Sequence, residues 1–202
     1  MKAILLTGWS AAGKTTHARQ LAADLQREYV PMAPFMRKAI ATISPSAHRD
    51  LGAHEWEPAI DATRADSAEI DALADALIAR YLRGRSNVVV DAWLQPWIYD
   101  GPAIRIWVES DLASRCMKYI VSCLREGTKP DPDPTQYLGA KDAFSRRTFA
   151  DMYGINFGPS EQFDIHFDNS RFITEPTIAA SDAGIRGSSP LLLADVISLQ
   201  QY

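Results

Sequence analysis

Near its amino end the sequence reads Gly8-Trp9-Ser10-Ala11-Ala12-Gly13-Lys14-Thr15-Thr16. Two glycines around four intervening residues, followed by lysine and a hydroxyl residue, make the pattern GxxxxGK[ST], whose chemistry is phosphate binding. The glycines let backbone N–H groups turn inward toward phosphate oxygens, and a helix starting there adds the positive end of its dipole. Lys14 would neutralise the β- and γ-phosphates of a nucleoside triphosphate, and the Thr15 hydroxyl would ligate Mg²⁺. The expected cradle is Gly8, Ser10, Ala11, Ala12, Gly13, Lys14, Thr15 and Thr16, with ATP and Mg²⁺ as its cofactors.

The loop needs a strand before it and a helix after it, and both are written into its flanks. Ala3-Ile4-Leu5-Leu6-Thr7 is a short continuous apolar run, as expected of a strand buried on both faces. Ala18, Leu21, Ala22 and Leu25 recur at helical spacing within 16–28. Apolar runs and helical periodicities then alternate, the pattern of a parallel sheet covered by helices. Further strands are expected at 29–32, 87–91, 104–109 and 163–168. A helix is expected over 60–82, stopped by Gly84, and another from a Ser110 or Asp111 cap to Gly127. Lys129-Pro130-Asp131-Pro132-Asp133-Pro134 reads as an exposed loop, followed by a helix over 141–153 closed by Gly154. Beyond Ser170 the chain is polar and bears Gly and Ser until Pro190, after which 191–199 resembles a closing helix. Asp91 ends a central strand at the carboxyl edge, where ligands bind in open α/β sheets.

The chain has 202 residues, 47% of them hydrophobic, enough for one well-buried domain. A net charge of -4 gives no general attraction to nucleic acid or anionic membrane, so nucleic acid enters only as an acceptor. Cys116 and Cys123 fall on one helical face, too far apart to bridge, and read as buried thiols of a reducing compartment. The apolar run Ala3 to Leu6 is too short for a signal h-region or a membrane span, so a cytoplasmic protein without membrane contact is expected. The pattern carries no signal for an oligomeric state.

The block Asn87-Val88-Val89-Val90-Asp91-Ala92-Trp93, then Ile106-Trp107-Val108 with Leu112 and Arg115, resembles the cytidylate kinases, most closely their archaeal-type branch. Tyr153-Gly154-Ile155-Asn156, Phe163-Asp164-Ile165 and Asp168-Asn169-Ser170 extend the likeness, where that branch has a YGID-like turn and a last strand resembling YDLVIDTS. The resemblance spans about residues 2–172. It implies an α/β, three-layer P-loop kinase fold: a central five-stranded parallel sheet, an acceptor-binding helical segment over 33–82 and a lid over 125–147, followed by the C-terminal tail and helix over 173–202 that lie beyond the likeness. In the lid Arg125, Lys129, Lys141, Arg146 and Arg147 would close over the phosphates and place positive charge on the moving phosphoryl group. Arg115 matches an arginine at the base of the lid, and Lys118 replaces a second one, keeping charge but losing the bidentate fork. Arg37 matches an arginine that grips the acceptor phosphate, and Asp91 an acid that orients Mg²⁺-bound water or the acceptor.

The departures fall on the acceptor side. Ala92-Trp93 stands where the archaeal-type enzymes follow the strand acid with Gly-Arg. In place of RDxxDxxR the chain has Lys141-Asp142-Ala143-Phe144-Ser145-Arg146-Arg147-Thr148, so an inner acid has become Ser145 and a final arginine Thr148. Trp93, Trp97, His54 and Trp56 add aromatic rings that would stack a base or sugar, with core packing the alternative for each. The expected roles are catalytic for Lys14, Asp91, Arg115, Lys118 and Arg146, metal-binding for Thr15 and Asp91, and substrate-binding for Arg37, Asp91, Trp93, Lys141, Ser145 and Arg147. The sequence therefore points to an ATP-dependent kinase acting on a nucleotide-type acceptor. A hydroxyl kinase using Asp91 as base, acting on a small metabolite or a hydroxymethylated base, is the second reading. A nucleotide-binding regulatory module without turnover is the third.

Overall fold

The computed structural model describes residues 2–45 and 68–200. Its strands are β1 (Ala3–Gly8), β2 (Glu28–Pro31), β3 (Val88–Asp91), β4 (Ala103–Glu109) and β5 (Ile165–Asp168). They form one parallel sheet in the order β2-β3-β1-β4-β5. In register, Leu6 of β1 sits opposite Asp91 of β3 and Ile106 of β4. Chain order reverses at β1, so the loop leaving its carboxyl end opens at the switch point where open α/β sheets bind ligands.

The helices are α1 (Lys14–Asp24), α2 (Ala33–Ile43), α3 (Ala68–Leu82), α4 (Gln95–Ile98), α5 (Leu112–Glu126), α6 (Pro134–Tyr153) and α7 (Ile178–Gln200). The chain divides into two compact units, one of Met1–Val30 with Ser86–Tyr202 and one of Pro31–Arg85. In the smaller unit α2 and α3 bury Met36, Ile40, Ile70, Ala74 and Ile78, and Phe35 meets Tyr81 edge-on with ring centres 5.5 Å apart. Residues 60–67 of the helix expected over 60–82 lie outside the described residues, as do His54 and Trp56.

In the larger unit each sheet face carries its own core. On one, Ile4, Leu6, Ile106 and Val108 are packed with Ala18 and Leu21 of α1 and Leu192 and Val196 of α7. On the other, Trp107, Phe149, Phe157 and Phe163 form an aromatic cluster against which Trp9, Trp93 and Trp97 pack. Trp97 meets Phe163 at 5.1 Å and 85°, so of its two readings the core-packing one holds. Aromatic pairs of this geometry contribute about 0.5–1.5 kcal/mol each beyond the apolar area they bury.

Two boundaries differ from expectation, each for a local reason. Helix α6 begins at Pro134, not near 141, because the Asp133 carboxylate caps it by accepting the Gln136 N–H at 3.0 Å, and a proline in the first turn needs no N–H partner. At α5 the start falls as expected, with Asp111 of the two candidate caps accepting the Ser114 N–H at 2.7 Å. Helix α7 starts at Ile178, well before the expected 191, and contains Pro190. Its Gly and Ser are poor helix formers in isolation, but tertiary packing requires them. A Cβ on Gly184 would lie 1.9 Å from the Phe172 carbonyl oxygen, so glycine lets α7 lie directly on the 3-10 turn Ser170–Phe172. Cys123 is buried and Cys116 only half-buried, both as free thiols. Among the described residues no helix is long and apolar enough to cross a membrane.

Candidate active site

The loop between β1 and α1 is shaped by backbone conformations the sequence only partly announces. Gly8 has φ +151°, and a Cβ there would sit 2.2 Å from the Val108 carbonyl oxygen on β4. Ala11 at φ 58° and Gly13 at φ 96° are both left-handed and flank Ala12. Such alternation gathers consecutive N–H groups into an anion-binding concavity. The Lys14 ammonium donates to the Trp9 carbonyl at 2.7 Å, which also accepts the Ala12 N–H at 3.2 Å. Burial lowers the Lys14 pKa, and the Asp91 and Asp142 carboxylates oppose that shift.

Beside the lysine, the Thr15 hydroxyl donates to Asp91 Oδ2 at 2.5 Å, and the Tyr29 hydroxyl reaches the same oxygen at 3.2 Å. Burial, with the Asp91 charge adding to it, pushes the Tyr29 phenol up to about 12, so it remains a donor. Hydroxyl and carboxylate are the hard oxygen donors that Mg²⁺ takes, and Mg²⁺ typically keeps phosphate oxygens and waters as its remaining ligands. Among the described residues no group of three or more His, Cys, Asp or Glu could hold a metal alone. Thr15 and Asp91 therefore fit an ion that arrives with a polyphosphate.

Helix α6 closes the other side of the loop. Asp142 accepts the Ser10 N–H at 3.1 Å and pairs with Arg115 Nη1 at 2.5 Å, while the same Nη1 donates to the Ser10 carbonyl at 3.2 Å. One turn along α6, the Arg146 guanidinium lies 4.5 Å over the Trp9 ring. The structure thus brings Lys14, Thr15, Asp91, Arg115 and Arg146 around one loop. Lys118 donates instead to Ser110 Oγ at 2.8 Å and to Asn169 Oδ1, and burial brings its pKa down to about 8.

The remaining expected residues have other surroundings. Lys141 donates to the Tyr137 hydroxyl at 3.3 Å, Ser145 is half-buried, and Arg147 is exposed, all on α6. Arg125 is paired with Asp182 of α7. Arg37 is exposed on α2, within the smaller unit. The Trp93 carbonyl accepts the Thr7 hydroxyl at 2.8 Å, and its ring lies 6.2 Å from Phe149.

Four contributors were missed by sequence reasoning: Tyr29, Asp142, Trp9 as a platform, and Asn169. Asp142 had a signal, standing four residues before Arg146 and so on the same helical face. Asn169 donates from Nδ2 to the Ala12 carbonyl at 2.9 Å and to His17 Nε2 at 3.1 Å, a tie across 157 positions that no local pattern announces.

A strand, a GxxxxGK[ST] loop and a helix at the switch point of a five-stranded parallel sheet, with hard oxygen donors and arginines around the loop, mark a P-loop kinase that is similar to those of the nucleoside monophosphate kinase type. The relatives give the closer likeness. The chain is similar to a cytidylate kinase of Pyrobaculum aerophilum, 26% identical over 182 residues, covering 90% of this chain and 91% of the relative. It is similar also to a cytidylate kinase of Pyrococcus abyssi, 21% identical over 182 residues, with 90% and 92% covered. No family model matches the sequence. Among solved structures, an uncharacterised protein from Eubacterium ventriosum shares the fold with a TM-score of 0.57 and 14% identity, over 90% of this chain and 94% of that one. The protein TT1252 from Thermus thermophilus does so at 0.52 and 14%, over 96% and 97%.

Proposed function

We propose that the protein transfers the γ-phosphate of Mg-ATP to a nucleotide-type acceptor, as a cytidylate-kinase-like enzyme with an altered acceptor site. The observation that carries this reading is the Thr15–Asp91 hydrogen bond beside Lys14, a metal-type oxygen pair at the mouth of the glycine loop. The loop N–H groups and Lys14 bind the donor phosphates, and Thr15 and Asp91 hold the metal. Bound there, Mg²⁺ neutralises charge on the β- and γ-oxygens. Arg115 and Arg146, carried by α5 and α6, supply the positive charge that stabilises the phosphoryl group in flight, and the segment 125–147 serves as the lid that excludes water. Arg37 is the residue this reading assigns to the acceptor phosphate.

The altered α6 face favours attention to a second acceptor chemistry. A phosphate acceptor is already an anion and needs neutralisation, whereas an alcohol gains from a base. With Ser145 and Thr148 where the resemblance has an acid and an arginine, a hydroxyl acceptor using Asp91 as base is the second reading. Coupled measurement of ATP consumption against nucleoside monophosphates, nucleosides and hydroxymethylated bases separates the two. Turnover of a monophosphate supports the first reading; turnover of only a phosphate-free alcohol overturns it in favour of the second. Asp91→Asn should cut turnover by about 100-fold or more while ATP binding persists, and unchanged turnover would remove Asp91 from the chemistry.

A further inference from the structure

We propose that Asn169 is a positioning residue for donor-phosphate binding: its carboxamide, braced from behind by Lys118, turns the Ala12–Gly13 peptide so that the Gly13 N–H faces the phosphate cradle. The inference rests on the reading of this loop as the cradle for the donor phosphates.

Asn169 follows β5 directly, is 2% exposed, and is fixed by its own N–H, which donates to the Glu109 carbonyl at 3.0 Å. Its amide can sit only one way round. The Lys118 ammonium only donates, so it requires Oδ1; the Ala12 carbonyl only accepts, so it requires Nδ2. Because Nδ2 also faces His17 Nε2, that ring nitrogen accepts, and Nδ1–H points toward Ser189 Oγ at 3.4 Å. The result is one chain of donors and acceptors from α5 through Asn169 to the loop carbonyl, α1 and α7.

The Ala12–Gly13 bond is trans, so its carbonyl and its N–H point in opposite directions. Drawing the Ala12 oxygen toward buried Asn169 sends the Gly13 N–H to the far side, where a phosphate oxygen would accept it. Local sterics do not fix this plane, because glycine adopts either sign of φ at little cost. An anchor outside the loop is therefore needed, and Asn169 supplies it. Position 13 favours glycine through its left-handed φ of +96°, and a Cβ there would be in ordinary contact with Asn169 Nδ2 at 3.4 Å.

Asn169→Asp tests this with little change of shape. It keeps the contact with Lys118 but sets a carboxylate oxygen against the Ala12 carbonyl, favouring the flipped peptide. Calorimetric titration with MgADP should show affinity about tenfold or more below wild type. In amide NMR spectra the downfield movement of the Gly13 N–H on MgADP addition should be lost, a signature that general loosening would not single out. Asn169→Ala, which removes the anchor without adding charge, should weaken MgADP binding in the same direction. It carries the test should the aspartate variant fail to fold. MgADP affinity within twofold of wild type in either folded variant, with the Gly13 shift intact, overturns the inference and leaves the donor reading standing. A wild-type protein that does not bind MgADP overturns both.

Discussion

Acidification should destabilise this protein through one residue in particular. His17 on α1 is 4% exposed, its ring edge-on to Phe167 at 5.2 Å, with Nε2 accepting from Asn169 and Nδ1 directed at Ser189. Burial, and secondarily the Lys118 charge, lowers its pKa from 6.5 to about 4. Protonation would also press an N–H against the Asn169 Nδ2 donor. Between those two values the unfolded chain binds a proton that the folded chain does not. Stability is therefore fully present above pH 6.5, falls as pH drops toward 4, and levels off below. The shift of about 2.5 units, at about 1.36 kcal/mol each, amounts to about 3 kcal/mol. Carboxylates titrate nearby, so the measurement must be differential: urea unfolding of wild type and His17→Gln, in steps from pH 7.5 to pH 4. The variant lacks the titrating ring, so its free-energy gap from wild type should narrow by about 3 kcal/mol across that range. A gap that stays constant with pH, or an NMR titration placing the His17 midpoint near 6.5, would refute the reasoning.

Gly8→Ala should cost about 2–4 kcal/mol or prevent folding, read as a lowered thermal midpoint, because its Cβ would meet the Val108 carbonyl at 2.2 Å. Lys14→Met should leave the fold intact and lower phosphoryl-transfer turnover by about 100-fold or more, checked by single-turnover kinetics with saturating ATP. Gly184→Ala, a helix-favouring change by propensity, should instead destabilise, since its Cβ falls 1.9 Å from the Phe172 carbonyl. A rise in its unfolding midpoint would show that α7 does not need the close approach. Phe149→Ala should cost about 3–5 kcal/mol in urea unfolding by opening the aromatic core.

The parts of the molecule legible in the sequence are those whose signal is local. The strand Ala3-Ile4-Leu5-Leu6-Thr7, the glycine loop, the Asp111 cap and the Gly127 and Gly154 stops each follow from neighbours in the chain, and each appears where expected. What was not legible depends on contacts between distant residues. Pro134 reads as a breaker until its place in the first turn of α6 is known, and Gly184 reads as loop until Phe172 is placed beside it. Within the site, Lys14, Thr15 and Asp91 were announced by motif and strand position. Asn169 was not, because its value lies in joining β5 to the loop, and Lys118 shows that a cation at a kinase-like position can spend its hydrogen bonds behind the loop.

Helix α7 has a consequence for the order in which the molecule is built. Gly184, Gly187 and Pro190 lower its intrinsic helicity by about 1, 1 and 3 kcal/mol, so its stability rests on packing against the Phe172 turn and the sheet. Yet Ser189 of this helix is the last member of the network behind the glycine loop, joined to His17 across 172 positions of the chain. A chain emerging from the ribosome carries its loop motif long before that brace exists. A nascent chain that stops short of Ser189 displays the complete motif without its full backing.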